Sequence, residues 1–320
     1  MREIHPAIID YMKWLLPCII SAAGLSLAGQ QPDQKPDRAE PSDTRIILDV
    51  TRVNMLFTVT DKKGKFITDL GKEDFQVIEG KRPQNIQEFT AESDLPLRIA
   101  ILIDTSNSIR DRFRFEQQAA VDFINSVIRP RQDKCMIVSF DSSVELVSDL
   151  IDDPEKLATA VRSLRPGGGT ALYDALYFGC RDKLQQDQPR HKFRRAVIIV
   201  SDGDDNQSRV SRDQALEMAQ KADAVIYCIS TNISRIEADG DKVLKYLAAE
   251  TGGQAFFPFK AEDLAQSFEN IANELRHQYN IFYRPEPLKT DGLYHSVNLI
   301  VKGRRDLIVR ARKGYYAPKM

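Results

Sequence analysis

The chain is poor in the residues on which most hydrolytic and redox chemistry depends. It holds only four histidines and four cysteines in 320 residues. His5, His191, His277 and His295 all fall away from any strand end predicted to carry a site, so a Ser-His-Asp relay has no base. Neither a P-loop nor a Gly-x-Gly-x-x-Gly turn occurs, which excludes the phosphate cradles of NTPases and dinucleotide enzymes. Charge of one sign is not in excess either. The formal net charge is -1, mixed along the chain, which leaves no electrostatic footprint for nucleic acid. These absences leave no acid–base partners, so the chain is expected not to be an enzyme and to have no small-molecule substrate.

What is present begins with an export signal. Trp14 to Ala28 is an uncharged apolar run preceded by Arg2 and Lys13, and it ends in Ser26-Leu27-Ala28. Small residues at the last and third-last positions fit signal-peptidase cleavage, and the run is shorter than the roughly 20 residues of a membrane span. Residues 1–28 are therefore expected to be a signal peptide, and the mature protein periplasmic or extracellular. Removing them leaves Cys135, Cys180 and Cys228. An odd, widely spaced set is no disulfide framework; in apolar runs, these read as buried thiols. Residues 29–43, polar with three prolines, read as a disordered linker.

Residues 44–92 show short strands at Arg45–Thr51, Met55–Thr60 and Phe75–Gly80. Strand texture returns over 279–320, at Tyr279–Tyr283, Tyr294–Val301 and Leu307–Ala311. Between them, apolar strands alternate with amphipathic helices. Strands are expected at Ile99–Ile103, Lys134–Phe140, Ala196–Ser201, Ala224–Ser230 and Gln254–Phe257, and helices over 115–128, 154–164, 171–184, 211–221, 241–250 and 261–277. That alternation predicts an α/β fold, a doubly wound sheet with right-handed crossovers, over residues 93–278. Each flank is too small to bury a core alone. Pairing 44–92 with 279–320 would make one β-sandwich with the α/β domain inserted into it.

The candidate site grows from Arg98-Ile-Ala-Ile-Leu-Ile-Asp104-Thr-Ser106-Asn-Ser108. A buried strand ends at a carboxylate followed by two hydroxyls, at the sheet edge where α/β folds bind ligands. Such oxygens suit a hard cation; they also suit a helix N-cap. Two further stretches reach the same edge, Gly167-Gly168-Gly169-Thr170 and Ser201-Asp202-Gly203. Asp104, Ser106, Ser108, Thr170 and Asp202 could thus share one crevice. Asp174 either orients the Thr170 loop or is an exposed helix residue. Asp202-Gly-Asp204-Asp205-Asn206 partly mimics a calcium loop, but Gln207 stands where an EF-hand needs Gly.

Asp-x-Ser-x-Ser, Gly-Gly-Thr and Ser-Asp-Gly, each at the end of its expected strand, resemble the metal-ion-dependent adhesion site of the von Willebrand factor A (VWA) family. The resemblance covers residues 97–278. The flanks also resemble secreted VWA-related proteins common in acidobacteria, through Val59-Thr60-Asp61 to Gly64 and Arg312-Lys313-Gly314-Tyr315. It implies a Rossmann-like VWA domain in which Ser106, Ser108 and Thr170 hold Mg²⁺ through hydroxyls, with Mn²⁺ or Ca²⁺ as alternatives. Asp104 and Asp202 would act mainly through waters. The implied partner is a protein that offers a Glu or Asp carboxylate to the open position. A hydrolase using Asp104 as nucleophile would want a second Asp at the position of Ser106. The remaining alternative is a structural or assembly component of the cell envelope, with a mainly stabilising metal.

Overall fold

The computed structural model describes residues 52–91, 95–110, 112–188, 192–232, 234 and 236–319. The expected signal peptide, the linker and the strand over 45–51 lie outside the described residues. The first flank supplies β1 (Val53–Thr60), β2 (Phe75–Glu79), β3 (Arg82–Gln84) and β4 (Ile86–Thr90). There follow β5 (Leu97–Asp104), α1 (Phe113–Val127), β6 (Lys134–Phe140) and β7 (Val144–Ile151). Next come α2 (Pro154–Ser163), α3 (Leu172–Phe178), β8 (Arg194–Ser201) and α4 (Arg212–Lys221). The α/β part closes with β9 (Ala224–Ser230), α5 (Asp239–Thr251), β10 (Ala255–Phe256) and α6 (Ala261–Arg276). The second flank adds β11 (Tyr279–Tyr283), β12 (Tyr294–Val301), β13 (Ile308–Ala311) and β14 (Gly314–Tyr316).

The central sheet has the order β10-β9-β8-β5-β6-β7. Strand order reverses at β5, which puts a ligand crevice at the carboxyl ends of β5 and β8. Alternate residues of β5 face opposite cores. Ile99, Ile101 and Ile103 pack with α1, α2 and α6, whereas Ala100 and Leu102 pack with α3, α4 and α5. Burial of both faces is why the parallel strands read as unbroken apolar runs.

Local signals set several helix ends. Asp153 accepts from the amides of Glu155 and Lys156 ahead of Pro154, a side-chain cap followed by proline at the first helical position. Ser211 and Gln214 form a reciprocal capping box on α4. The helix expected over 171–184 stays α-helical only to Phe178 and continues as a π-helical turn over Gly179–Leu184. Cys135, Cys180 and Cys228 are buried free thiols.

In the central sheet one strand escaped the sequence pattern. Residues 144–151 form β7, antiparallel to β6 at the sheet edge, so the sheet is parallel only from β6 to β10. Half its surface meets solvent, and Glu145, Ser148 and Asp149 interrupt the apolar texture, as an exposed edge demands.

The flanks make two four-stranded antiparallel sheets, β13-β1-β11-β4 and β14-β12-β2-β3, each with strands from both ends of the chain. Both feed one core, in which the rings of Phe57, Phe75, Phe89 and Tyr279 pack with centroids 5.0–5.7 Å apart. Helix α6 is tied to this assembly through buried Glu274, which accepts from Thr58 Oγ1 at 3.2 Å and Arg310 Nη2 at 2.6 Å. Among the described residues no helix is long and apolar enough to cross a membrane.

Candidate metal centre

Asp104 ends β5 with its side chain fully buried. One carboxylate oxygen accepts from the Ser106 amide at 2.8 Å, the other from Ser201 Oγ at 2.6 Å. Ser201 Oγ in turn accepts from the Gly203 amide at 3.0 Å, so the ends of β5 and β8 are fastened together. Ser106 Oγ and Ser108 Oγ stand 2.9 Å apart. The glycine loop closes over them, with the Gly167 amide on Thr105 O and both nitrogens of Asn107 on Gly168 O. Thr170, 4% exposed, is held by its backbone: its amide donates to Asn206 Oδ1, and its carbonyl accepts from the amides of Asn206 and Gln207, each at 3.0 Å. Half-buried Asp202 accepts from the Asp204 amide. The three loops are one hydrogen-bonded unit.

This donor set fits a small divalent cation. Neighbouring oxygens on an octahedron of radius about 2.1 Å lie about 3.0 Å apart, the spacing the two serine hydroxyls already have. Burial pushes the Asp104 carboxyl up to about 6, against hydrogen bonds from Ser201 and Ser106, and the charge of Asp202 adds to the rise. A cation there would offset both effects. Asp204 is raised as well, by burial and by Asp202, Asp239 and Asp241, so this rim of the crevice is strongly acidic. Among the described residues no cluster of three or more His, Cys, Asp or Glu is arranged to hold a metal. The candidate set would rely instead on three hydroxyls and two carboxylates.

Asp174 lies in the first turn of α3. Its carboxylate accepts from the amides of Arg209 and Val210 at 3.0 Å and so clamps the loop that follows Asp202. Asp205 and Ser208 reach back to the amides of Tyr173 and Asp174 and cap α3, whose own N-cap is Ala171. Of the run that mimicked a calcium loop, Asp205 is thus used in capping α3 and Asn206 in gripping Thr170. Sequence reasoning also missed Ser142, whose hydroxyl accepts from the Gly169 amide at 2.7 Å.

The least expected residue is Glu116, one turn into α1. It is 2% exposed and neither carboxylate oxygen has a hydrogen-bond partner. Burial pushes it up to about 8; Arg112 opposes this, while Asp104 and Asp202 reinforce it. Between an unfolded value near 4.5 and this folded one, the folded state holds a proton that the unfolded state has released, so stability falls as pH rises. In chelator, Glu116→Gln should flatten urea unfolding between pH 5 and pH 8, gaining up to about 4 kcal/mol on wild type across that window. An unchanged pH dependence would show that Glu116 ionises freely.

The structure thus brings a cluster of hydroxyls and carboxylates to the reversal point of an α/β sheet. Residues 99–204 match the family model described as von Willebrand factor type A domain. Several solved structures are similar. A von Willebrand factor type A protein from Catenulispora acidiphila is 15% identical, with a TM-score of 0.50 over 77% of this chain and 73% of that one. Proximal thread matrix protein 1 from the mussel byssus, with a zinc-occupied MIDAS motif, is 17% identical, TM-score 0.49, over 60% and 49%. The PilB minor pilin from Streptococcus sanguinis is 14% identical, TM-score 0.46, over 59% and 63%. The chain thus spans less than two thirds of the pilin and of the thread protein. No curated protein matches the sequence significantly.

Proposed function

We propose that this is an exported, non-enzymatic binding protein that grips an acidic residue of a partner protein through a divalent cation, Mg²⁺ in the first instance. Ser106, Ser108 and Thr170 would hold the ion through hydroxyls, with Asp104 and Asp202 balancing its charge. The carrying observation is the serine pair at 2.9 Å beside a buried carboxylate. Neutral oxygens leave the ion's charge only partly compensated, which favours an incoming carboxylate. The same reading takes the two flanking sheets as a β-sandwich into which the VWA domain is inserted, in the manner of the secreted VWA-related proteins the flanks resemble.

The test is calorimetric titration of Mg²⁺ and Mn²⁺ into chelator-stripped protein, alone and with a Gly/Ser peptide carrying one glutamate. One site in the wild type, lost in Ser106→Ala and Thr170→Ala, is expected, with metal and peptide each tightening the other. Peptide binding indifferent to EDTA would sink the reading. A metal that only raises the melting temperature would move the protein to the structural class.

A further inference from the structure

Beside the serine pair lies a groove of about 440 Å³ lined by Arg110, Phe113, Arg114, Gln117, Leu164, Arg165 and Pro166. We propose that it docks an acidic stretch of the partner polypeptide, next to the residue that reaches the metal; this rests on the metal-dependent reading above.

Three guanidiniums meet there, and none has a carboxylate partner among the described residues. Arg110 donates to neutral Asn107 Oδ1 at 2.9 Å, and Arg165 to the carbonyls of Arg162 and Leu164. Among the described residues, no carboxylate therefore pairs with their charge. All three are exposed, above an apolar floor of buried Phe113 and Leu164. Gln117 holds that floor together, donating across from α1 to Val161 O and Leu164 O at the end of α2.

Continuity with the metal loops is direct. Arg110 holds Asn107, and Asn107 holds Gly168, so the groove wall begins two residues beyond Ser108. The groove belongs to the face of the sheet covered by α1 and α2, whereas Asp204 and Asp239 crowd the loops on the α3–α5 face. An acidic chain crossing the crevice is repelled on one side and attracted on the other, so it is steered toward the arginines. Arginine forks suit carboxylates bidentately, and the apolar floor accommodates the chain between them.

The experiment compares two fluorescein-labelled Gly/Ser peptides, one with a single glutamate and one with that glutamate flanked by four acidic residues. Binding is followed by anisotropy in Mn²⁺ at low salt, for wild type and for the triple variant Arg110→Gln/Arg114→Gln/Arg165→Gln. The acid-rich peptide should bind wild type about ten- to a hundredfold tighter than the single-glutamate peptide. The triple variant should lose that advantage while keeping the weaker binding, and Lys at the three positions should restore most of it. An advantage that persists in the triple variant, or no advantage in wild type, overturns the proposal. So does arginine-dependent capture of phosphatidylglycerol vesicles without any peptide preference, which would assign the groove to lipid. If instead EDTA and Ser106→Ala leave the acid-rich binding intact while the triple variant abolishes it, the groove stands and the metal reading falls.

Discussion

Gly240→Ala is expected to destabilise the protein and weaken the cation site together, although by local helix energetics it should do the reverse. Gly240 sits in the first turn of α5, where alanine is the better helix former by about 1 kcal/mol. A Cβ there would lie 2.2 Å from the Asp202 carbonyl oxygen and 2.9 Å from the Asp204 amide. Both are backbone atoms, so no side chain can rotate away. Gly203 presents the other half of the contact: its φ is +85°, and a Cβ would come within 2.2 Å of Gly240 O. The loop bearing Asp202 is therefore pressed against α5, backbone to backbone. Relief requires α5 or the loop to move by about 1 Å, an overpacking penalty of about 2–4 kcal/mol once the helix gain is subtracted. Urea unfolding should show that loss, and Mg²⁺ titration about a tenfold fall in affinity, a shift of about 1.4 kcal/mol. A variant as stable as wild type, with metal affinity unchanged, would mean the contact is looser than drawn.

That contact explains why only part of the centre was legible in the sequence. Asp104 and the Ser201-Asp202 pair announced themselves because a parallel strand buried on both faces is a continuous apolar run, and a carboxylate at its end stands out. Asn206, Ser208 and Ser142 gave no such signal. Each is an ordinary polar loop residue until a loop about 30 residues away closes upon it, as Asn206 does on Thr170 and Ser142 on Gly169. Gly203 and Gly240 likewise explain one another only when α5 is in place. Glu116 carried a faint signal, four residues before Ala120 on the apolar face of α1, but periodicity cannot say why a carboxyl should sit there.

The fold divides along the same line. Lys134–Phe140, Ala224–Ser230, Tyr279–Tyr283 and Tyr294–Val301 end where hydrophobic runs and turn residues said they would. β7 did not, because an edge strand mixes polar and apolar residues as a loop does. β3, with three residues, and β14, with three, are too short for any period to show. Their pairing partners, β2 and β12, make them strands.

Asp133→Ala should bring the largest loss of stability with little effect on the metal. The carboxylate is 0% exposed. It accepts from the Leu97 amide at 2.8 Å, from the amide and guanidinium of Arg129, and from Arg276 Nη2 at 2.9 Å. Arg276 also donates to Val127 O, so one side chain fastens the start of β5 to the ends of α1 and α6. Its removal leaves the Leu97 amide without its acceptor and the Arg276 guanidinium without this carboxylate, a cost of about 3–5 kcal/mol. Burial works to raise this carboxyl, but the bonds from Arg129, Leu97 and Arg276 together hold it below the ordinary carboxylate range. A group depressed in this way stabilises the fold above its unfolded value near 3.9, and the contribution is lost as pH falls through the folded value. Asp133→Asn, which mimics the protonated state, should therefore be much less stable than wild type at pH 7 and approach it at a pH acid enough to protonate the wild-type carboxylate. A gap of equal size at both pH values would refute the ionic account. Asp133 works at the opposite end of β5 from Asp104, so Mg²⁺ affinity of the folded variant should stay within about twofold, as expected for distant independent sites. Stability and the proposed cation binding would then be set at the two ends of one strand.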